Sequence, residues 1–384
     1  MALVLAIYVA FMVLHWRDLN NDYTLFFLPW MESLRDNGLL ETLALRVPNY
    51  TAPFVMYQSV FTSLFPNGDI LILAKAAGGV LLVIFALCGA LAFKSIEHQR
   101  VAFPLIFGWM VLAPTAGLNA IIWTQADTLI TAFLFLSFAA LQRGWLWAAM
   151  VLFAVALSTK LISIFFAPYL LFCLMQRRAF RHIVAFGPLV VGTYFVANLP
   201  YLLAGVSVSD TLAIYRDQAE FFTQFSMNAP NPWHVAQLLK LLPEPATPAA
   251  NLLSLIGIGL AALVGVGVVA AGWVTPRLPR HKELALLSLI LILFPYILPK
   301  MHDRYFFMAD SFTWMAAAMF LRFLPVAILL QLAGWLASAP FLQSVQLYVL
   351  KDAFGPPIGA VLMGLAILIL LSILFGRDRA LGSP

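Results

Sequence analysis

Charged residues are scarce in this chain. Asp, Glu, Lys and Arg together make up 10% of its 384 residues, whereas soluble domains contain about 25%. Hydrophobic residues make up 63% and the mean hydropathy is +0.94, which excludes a soluble enzyme. Because a helix crosses the bilayer core of about 30 Å with about 20 apolar residues, the composition predicts a polytopic membrane protein.

Cysteine is also scarce, and its two copies, Cys88 and Cys173, both lie inside apolar runs. They offer neither a disulfide framework nor a CxxC metal site. Internal repeats, low-complexity segments and an appended soluble domain are missing as well, so we predict one transmembrane domain over residues 1–384. The net charge of +5 is scattered between apolar runs and forms no basic stripe, so nucleic acid is not an expected partner.

Apolar runs follow one another along the whole chain. The run at residues 1–16 has no basic n-region and no small-residue cleavage site after it, so it predicts a first membrane helix. Residues 145–176 are too long for one span, and we predict two spans separated by a turn at residues 158–160. The predicted fold is all-α, with about twelve transmembrane helices and interfacial helices in the long loops. The predicted spans are 1–16, 70–93, 101–120, 126–142, 145–158, 161–176, 183–204, 250–274, 284–299, 305–321, 323–341 and 354–376.

Basic residues gather on one side of these spans. Because cytoplasmic loops carry an excess of Lys and Arg, that side is predicted to be cytoplasmic, together with both termini. The opposite side receives the long loops 17–69 and 205–249. It also receives all of the seventeen acidic residues except Glu97, Glu283 and Asp378. We therefore expect the unusual polar residues to face the outside.

The stretch PKMHDRYFF, residues 299–307, crowds a lysine, a histidine, an aspartate and an arginine at the start of a predicted span. Lys300 and Arg304 are four residues apart and would share a helix face, while Asp303 would screen one of them. Such a cationic patch at the membrane edge suits a phosphate headgroup. The alternative is an aromatic belt with an arginine that extends to the interface.

Other polar residues map to the same predicted outer side. Asp22 follows the first span, where a solvated carboxylate or a helix N-cap is the alternative. Asp127 and Lys160 lie at helix ends, where ionisable groups are costly, although capping and snorkelling would also explain them. Asn228 and Asn231 lie in MNAPNPW, where turn formation is the alternative. Their co-location favours one site, whereas a transporter would place ionisable groups near the bilayer midplane in two matching repeats, which this sequence lacks.

Six polar motifs occur in a fixed order over residues 16–310, and together they resemble the type-C family of membrane glycosyltransferases. The motifs are DYTLFFLPW, NYTAPF, WTQADTL, STKLISIFFAPY, MNAPNPW and PKMHDRYFF. They look most like bacterial multispan transferases whose last motif usually reads HERYFF, with Asp303 here in the glutamate position. They are more distantly similar to dolichyl-phosphate-glucose-dependent glucosyltransferases, where NYTAP aligns with a Tyr-Pro-Pro motif. Residues 311–384 carry none of these motifs, and the tandem Trp-Trp-Asp of oligosaccharyltransferases is missing, so transfer of a whole glycan to protein is not implied.

The resemblance implies a sugar donor carried on polyprenyl phosphate and a lipid-linked or cell-envelope glycan as acceptor, without nucleotide, metal or other cofactor. It also implies that the protein is embedded among lipids of the bacterial cytoplasmic membrane and that its active site faces the periplasm. Asp22 stands at the position of the family's catalytic aspartate in the first outer loop. Two alternatives remain: a flippase or transporter of lipid-linked sugars, which needs no general base, and a non-catalytic membrane subunit.

Sugar transfer from polyprenyl phosphate inverts the sugar when the acceptor hydroxyl attacks opposite the leaving phosphate. Asp22 is predicted to accept the hydroxyl proton. Arg304 is predicted to bind the leaving phosphate through its planar guanidinium, with His302, Lys300 and Lys160 as further phosphate ligands. The predicted substrate contacts are Tyr23, Asn49, Tyr50, Asp127, Asn228, Asn231, Trp233, Asp303 and Tyr305.

Overall fold

Helices form almost all of the structure. The computed structural model describes residues 10, 12–17, 20, 22–96, 101–338 and 354–376. The α-helices of these residues are α1 (Leu28–Ala44), α2 (Ala52–Leu64), α3 (Ile70–Ser95), α4 (Phe103–Val111), α5 (Pro114–Gly117), α6 (Asp127–Gln142), α7 (Leu146–Thr159), α8 (Ala167–Gln176), α9 (Phe180–Ala197), α10 (Leu199–Leu203), α11 (Val208–Phe221), α12 (Pro232–Leu238), α13 (Pro248–Val274), α14 (Arg280–Ile297), α15 (Phe307–Met319), α16 (Leu324–Ser338) and α17 (Gly355–Phe375). The π-helices are Tyr23–Phe27 and Leu118–Ile122, and the 3₁₀-helices are Leu161–Phe166, Asp303–Phe306 and Leu321–Phe323.

The long membrane helices are fewer than the sequence predicts. Within the described ranges, five helices are long and apolar enough to cross a membrane, and a sixth crossing results if the bent pair at residues 103–122 forms one span. α6, α7 and the helical run 161–176 are apolar but shorter. The all-α membrane class is therefore confirmed, whereas the count of twelve spans is not. Most of the first predicted span, residues 1–16, lies outside the described residues.

Several helices break at polar residues. α7 ends at Thr159 because Lys160 is extended, with φ −156° and ψ 132°, and the chain continues as a 3₁₀-helix. A break in the helix is therefore present at the predicted position, whereas a turn between two membrane spans stays a prediction. After the π-helix Leu118–Ile122, Thr124 has a φ of 54°, a value that is rare for a β-branched residue. These breaks leave polar side chains at helix ends, where they point into the interior between helices.

Two short parallel strands fix the chain that leads from α14 to α15. β1 (Ser226–Met227) pairs with β2 (Met301–His302), and the register places Ser226 opposite Met301 and Met227 opposite His302. The backbone N–H of Lys300 also donates to the carbonyl of Phe225 at 2.7 Å. The loop after α11 therefore holds the segment that contains PKMHDRYFF.

Asn231 and Trp233 strengthen this attachment. Asn231 is fully buried, and its Oδ1 accepts from the backbone N–H of His234 and caps α12, while its Nδ2 donates to the carbonyl of Pro295 at 3.0 Å. Trp233 Nε1 donates to the carbonyl of Ile297 at 2.8 Å. Both side chains therefore bind the end of α14.

A close contact between two helices fixes the position of the chain around residues 118–122. α3 packs directly on the π-helix Leu118–Ile122 at Gly78, where a Cβ atom would lie 1.9 Å from the carbonyl oxygen of Ala120. Deeper in the core the rings of Phe85 and Phe312 contact Phe135, with centroid distances of 5.5 and 4.6 Å. α3, α6 and α15 therefore form a rigid support beneath the polar residues.

Candidate active site

Arg304 lies at the centre of the charged cluster. It is held by the 3₁₀-helix Asp303–Phe306 between β2 and α15, and 11% of its side chain is exposed. Its Nη1 lies 2.9 Å from Oδ2 of Asp22, and its Nε lies 3.8 Å from Oδ2 of Asp127. Two carboxylates from distant parts of the chain therefore converge on one guanidinium.

Lys160 is the second buried cation. Its Nζ lies 2.5 Å from Oδ1 of Asp127, and it also lies 5.5 Å from the ring centroid of Tyr50 and 5.7 Å from that of Tyr305. Aromatic faces attract cations at such distances. Lys160 is thus oriented by one carboxylate and two rings.

Asp127 lies beneath both cations and is fully buried. Asn119 Nδ2 donates to its Oδ2 at 3.0 Å, while its Oδ1 receives Lys160. An unpaired buried carboxylate would be very costly, and paired charges with hydrogen bonds relieve that cost. Asp127 therefore acts as a fixed counter-ion that keeps Lys160 and Arg304 side by side.

Asp22 is positioned by a second amide. Gln125, fully buried, donates from Nε2 to Oδ2 of Asp22 at 2.8 Å. The backbone N–H of Gln125 donates to the carbonyl of Asn119, so the turn at Thr124 fixes both amides. Asp22 is less buried than Asp127, with 22% of its side chain exposed.

His302 and Asp303 are the two residues that directly precede Arg304 in the chain. Burial, with Arg304 and Lys160 nearby, lowers the pKa of His302 well below its usual value. This shift favours the neutral imidazole, which can donate a hydrogen bond. Burial raises the pKa of Asp303 to about 7, although Arg304 and the hydroxyl of Ser338 act in the opposite direction. Ser338 Oγ donates to Oδ2 of Asp303 at 2.8 Å.

These residues surround a pocket, which we call the charged pocket, with a cavity volume of about 60 Å³. Asp22 is the one carboxylate among the described residues that line it. The remaining lining residues are aromatic, amide or cationic: Phe26, Phe27, Trp30, Asn49, Tyr50, Lys160, Gln218, Phe221, Phe222, His302, Arg304 and Tyr305. A carboxylate, two cations and several rings therefore face the same small space.

A larger cavity of about 540 Å³ adjoins the charged pocket, and we call it the apolar groove. Its far part is lined by aliphatic and aromatic side chains of the 3₁₀-helix Leu161–Phe166 and of α13, such as Ile164, Leu255 and Ile258. At the other end it shares five lining residues with the charged pocket: Lys160, Gln218, Phe222, His302 and Tyr305. The two cavities are therefore direct neighbours on either side of these five side chains.

The structure brings together many of the predicted site residues, but not all. Seven of them line the charged pocket, namely Asp22, Asn49, Tyr50, Lys160, His302, Arg304 and Tyr305. Lys300 lines the apolar groove, and Asp127 supports the cations from below. The other predicted contacts line neither cavity. Tyr23 is buried in the packing of the first loop, and Asp303 lies behind Arg304. The chain around β2 is fixed by Asn228, Asn231 and Trp233.

Three amides in or beside the charged pocket were missed from the sequence. Asn119 and Gln125 hold the two carboxylates, and Gln218 lines the pocket while its Nε2 donates to the carbonyl of Asn49. Gln125 lies inside the motif WTQADTL, so the motif itself was a signal. The sequence around Asn119 and Gln218 gave no comparable signal, because the roles of these residues depend on contacts between distant segments.

The described residues contain no group of three or more His, Cys, Asp or Glu side chains that could hold a metal ion. Comparison with curated proteins and with solved structures gives no match. The family comparison does give one, over residues 50–299. This range contains Tyr50, Asp127 and Lys160, whereas Asp22 and Arg304 lie just outside it. The chain belongs to glycosyltransferase family 87, a polytopic membrane family of the type-C kind.

Proposed function

We propose that this glycosyltransferase moves a monosaccharide from polyprenyl phosphate to a hydroxyl of a lipid-linked or cell-envelope glycan, with inversion at the anomeric carbon. The observation that supports this proposal is that the charged pocket and the apolar groove are neighbours that share five lining residues. A polyprenyl phosphate has a long apolar chain and a charged head, and this pair of cavities offers a matching surface for each part.

The apolar groove accommodates the polyprenyl chain. Ile164, Leu255 and Ile258 supply apolar walls, and Lys300 lies at the end that leads to the charged pocket. A volume of about 540 Å³ falls within the range of about 300–1,000 Å³ that is typical of ligand pockets. It therefore accepts the first isoprene units, while the rest of the chain extends into the bilayer.

The donor phosphate binds between Arg304 and Lys160. Arg304 pairs with Asp22 at 2.9 Å, so an incoming phosphate takes the place of this carboxylate. Asp127 is more deeply buried and keeps its contacts with both cations. His302 adds an N–H donor. Arg304 suits this role because its planar fork binds two phosphate oxygens at once.

Donor binding then frees Asp22 to act as the base. Gln125 keeps the carboxylate at the pocket wall. The acceptor oxygen forms a bond to the anomeric carbon while the bond from that carbon to the phosphate oxygen breaks. The hydroxyl proton passes to Asp22, and the bonding electrons leave with the phosphate, whose growing charge is stabilised by Arg304 and Lys160.

We propose that this chemistry takes place on the outer face of the bacterial cytoplasmic membrane, with both termini inside. The support is the distribution of Lys and Arg between the predicted loops. Single cysteines introduced at Asn37 and at Glu244, which are both exposed, should react with an impermeant reagent in intact cells. Labelling that requires permeabilised cells at both positions would reverse the orientation.

The decisive experiment for the function uses purified protein in detergent or nanodiscs. It is offered polyprenyl-phosphate mannose, glucose and other monosaccharides together with cell-envelope lipid extract, and donor consumption and new glycolipid are measured. We expect one donor to be consumed and product to form. Movement of intact donor across proteoliposomes without new product would instead show a flippase.

A further inference from the structure

A third cavity lies on the far side of Asn49 from the two cations, and we call it the Arg46 cleft. Its volume is about 270 Å³, and it lies between the end of α1, the residues before α2, and the helices α10 and α11. Its polar lining consists of Arg46, Asn49, Asp210 and Asp217, next to the ring of Tyr201. The mechanism proposed above uses none of these polar groups.

The three cavities follow one another in a definite order. The apolar groove and the charged pocket share five lining residues, and the charged pocket and the Arg46 cleft share Asn49. The apolar groove and the Arg46 cleft share none. The charged pocket, with Asp22 in its lining, is therefore the cavity that neighbours both the apolar groove and the Arg46 cleft.

Inverting transfer requires this kind of order. The attacking hydroxyl must approach the anomeric carbon from the face opposite the leaving phosphate. With the phosphate at the groove side of the charged pocket, the acceptor must come from the other side. The other side is the one that leads past Asn49 into the Arg46 cleft.

The chemistry of the cleft suits a polyhydroxylated ligand. Arg46 lies 3.3 Å from Oδ1 of Asp210 and 3.7 Å from Oδ2 of Asp217, and each of the three side chains is about half exposed. Oδ1 of Asn49 is buried and has no hydrogen-bond partner among the described residues. Carboxylates accept hydrogen bonds from sugar hydroxyls, and a guanidinium donates to hydroxyl oxygens.

The N-terminal cap of α11 accounts for one oxygen of this set, because Ser207 Oγ donates to Oδ2 of Asp210 at 2.8 Å. The contacts of Arg46 with Oδ1 of Asp210 and with Asp217 are not part of that cap. Ion pairs between exposed side chains contribute only about 0–1 kcal/mol to stability. Arg46 has a φ of 53°, in the left-handed region at the end of α1, where glycine is the favoured residue. A long cationic side chain at this strained position, next to a polar cavity, fits a binding role better than a structural one.

We propose that the Arg46 cleft binds the acceptor glycan, at the sugar unit next to the one whose hydroxyl is glycosylated. This inference rests on the proposed glycosyl transfer for the direction of the reaction. Asp210 and Asp217 accept hydrogen bonds from the hydroxyls of this second sugar, Arg46 donates to them, and Asn49 contacts the glycan where it passes into the charged pocket.

The test compares octyl monosaccharides with octyl disaccharides of mannose and glucose as acceptor probes. Wild-type protein should show a lower KM for a disaccharide than for the matching monosaccharide. In the double variant Asp210→Asn and Asp217→Asn, the KM for the disaccharide should rise roughly tenfold or more, since hydrogen bonds to charged groups are lost. The KM for the monosaccharide and the donor affinity should not change. Asp36→Asn, which alters an exposed ion pair elsewhere on α1, is the matched control.

Direct binding of the same probes separates this inference from the proposed function. One outcome is that the wild type binds the disaccharide, the double variant binds it more weakly, and neither protein transfers sugar. This outcome would overturn the proposed function and support the role of the Arg46 cleft. Equal binding or equal KM values for the disaccharide in wild-type and double-variant protein would overturn the cleft. No detectable binding of any disaccharide to the wild type would overturn it too.

Discussion

Replacing Asp22 by asparagine should affect donor binding and sugar transfer in opposite directions. The structure places the carboxylate in a double role, because Asp22 pairs with Arg304 at 2.9 Å and is also the one carboxylate in the described lining of the charged pocket. The asparagine side chain keeps the size and can still accept from Gln125, but it lacks the charge that competes with phosphate and the basic oxygen that accepts a proton.

Both effects have an expected size. Loss of a general base lowers transfer by about 10²–10⁴-fold. A hydrogen bond between charged groups contributes about 1.5–3 kcal/mol, and the neutral amide retains part of it. We therefore expect donor binding to become roughly three- to tenfold tighter, at about 1.4 kcal/mol for each factor of ten.

The assay measures the equilibrium affinity for a polyprenyl-phosphate sugar and the single-turnover rate on the same preparations. Asp36→Asn is the control, because Asp36 is exposed and forms an ion pair with its neighbour Arg35. It should match the wild type in both measurements. Full transfer activity in Asp22→Asn would remove Asp22 as the base. Weaker donor binding in this variant would refute the exchange of carboxylate for phosphate.

Further substitutions test the surrounding residues. Arg304→Lys keeps the charge but loses the bidentate geometry, and transfer measured at saturating donor should fall by about 10²–10³-fold; wild-type turnover would leave Arg304 as an interfacial anchor only. Gln125→Leu removes the amide that orients the catalytic carboxylate and should lower kcat roughly tenfold at unchanged donor KM; a normal kcat would dismiss the positioning role. Gly78→Ala forces a Cβ atom against a carbonyl of the π-helix and should destabilise the protein by roughly 3 kcal/mol or more, seen as a lower melting temperature in detergent. Gly79→Ala meets open space and should be neutral or stabilising by up to about 1 kcal/mol; equal melting temperatures for the two variants would contradict the close contact.

Local features of the sequence anticipated much of this arrangement. The break at residues 158–160 was readable because a lysine interrupts an apolar run, and such a residue is costly along a lipid-facing helix. Crowded charges in PKMHDRYFF pointed to Arg304. The spacing of four residues, however, suggested that Lys300 and Arg304 share a helix face, whereas the chain between them contains β2 and only then a 3₁₀-helix. Lys300 consequently faces the groove and Arg304 the charged pocket.

Other features depend on contacts that no local pattern records. Asn119 reaches Asp127 through the altered register of a π-helix, and Gln125 meets Asp22 across 103 positions of the chain. Hydropathy also predicted twelve spans, of which the described residues show five or six long helices, because it registers apolar composition but not where a helix is interrupted. The asparagines of MNAPNPW suited both a turn and a binding site, and their contacts with the end of α14 and with β2 make them supports of the site.

Asp22 and Asp127 differ in burial, with 22% and 0% of their side chains exposed, and this difference suggests different roles in the proposed mechanism. Arg304 and Lys160 would repel each other strongly in a buried environment without counter-ions. Asp127, at 0% exposure, has no route for exchange with a ligand and remains as their permanent partner. Asp22, at the pocket wall, neutralises Arg304 only until a phosphate replaces it. In the proposed mechanism the base is therefore released when the donor is in place. The charges of PKMHDRYFF would then connect phosphate binding to proton acceptance and favour donor binding before acceptor deprotonation.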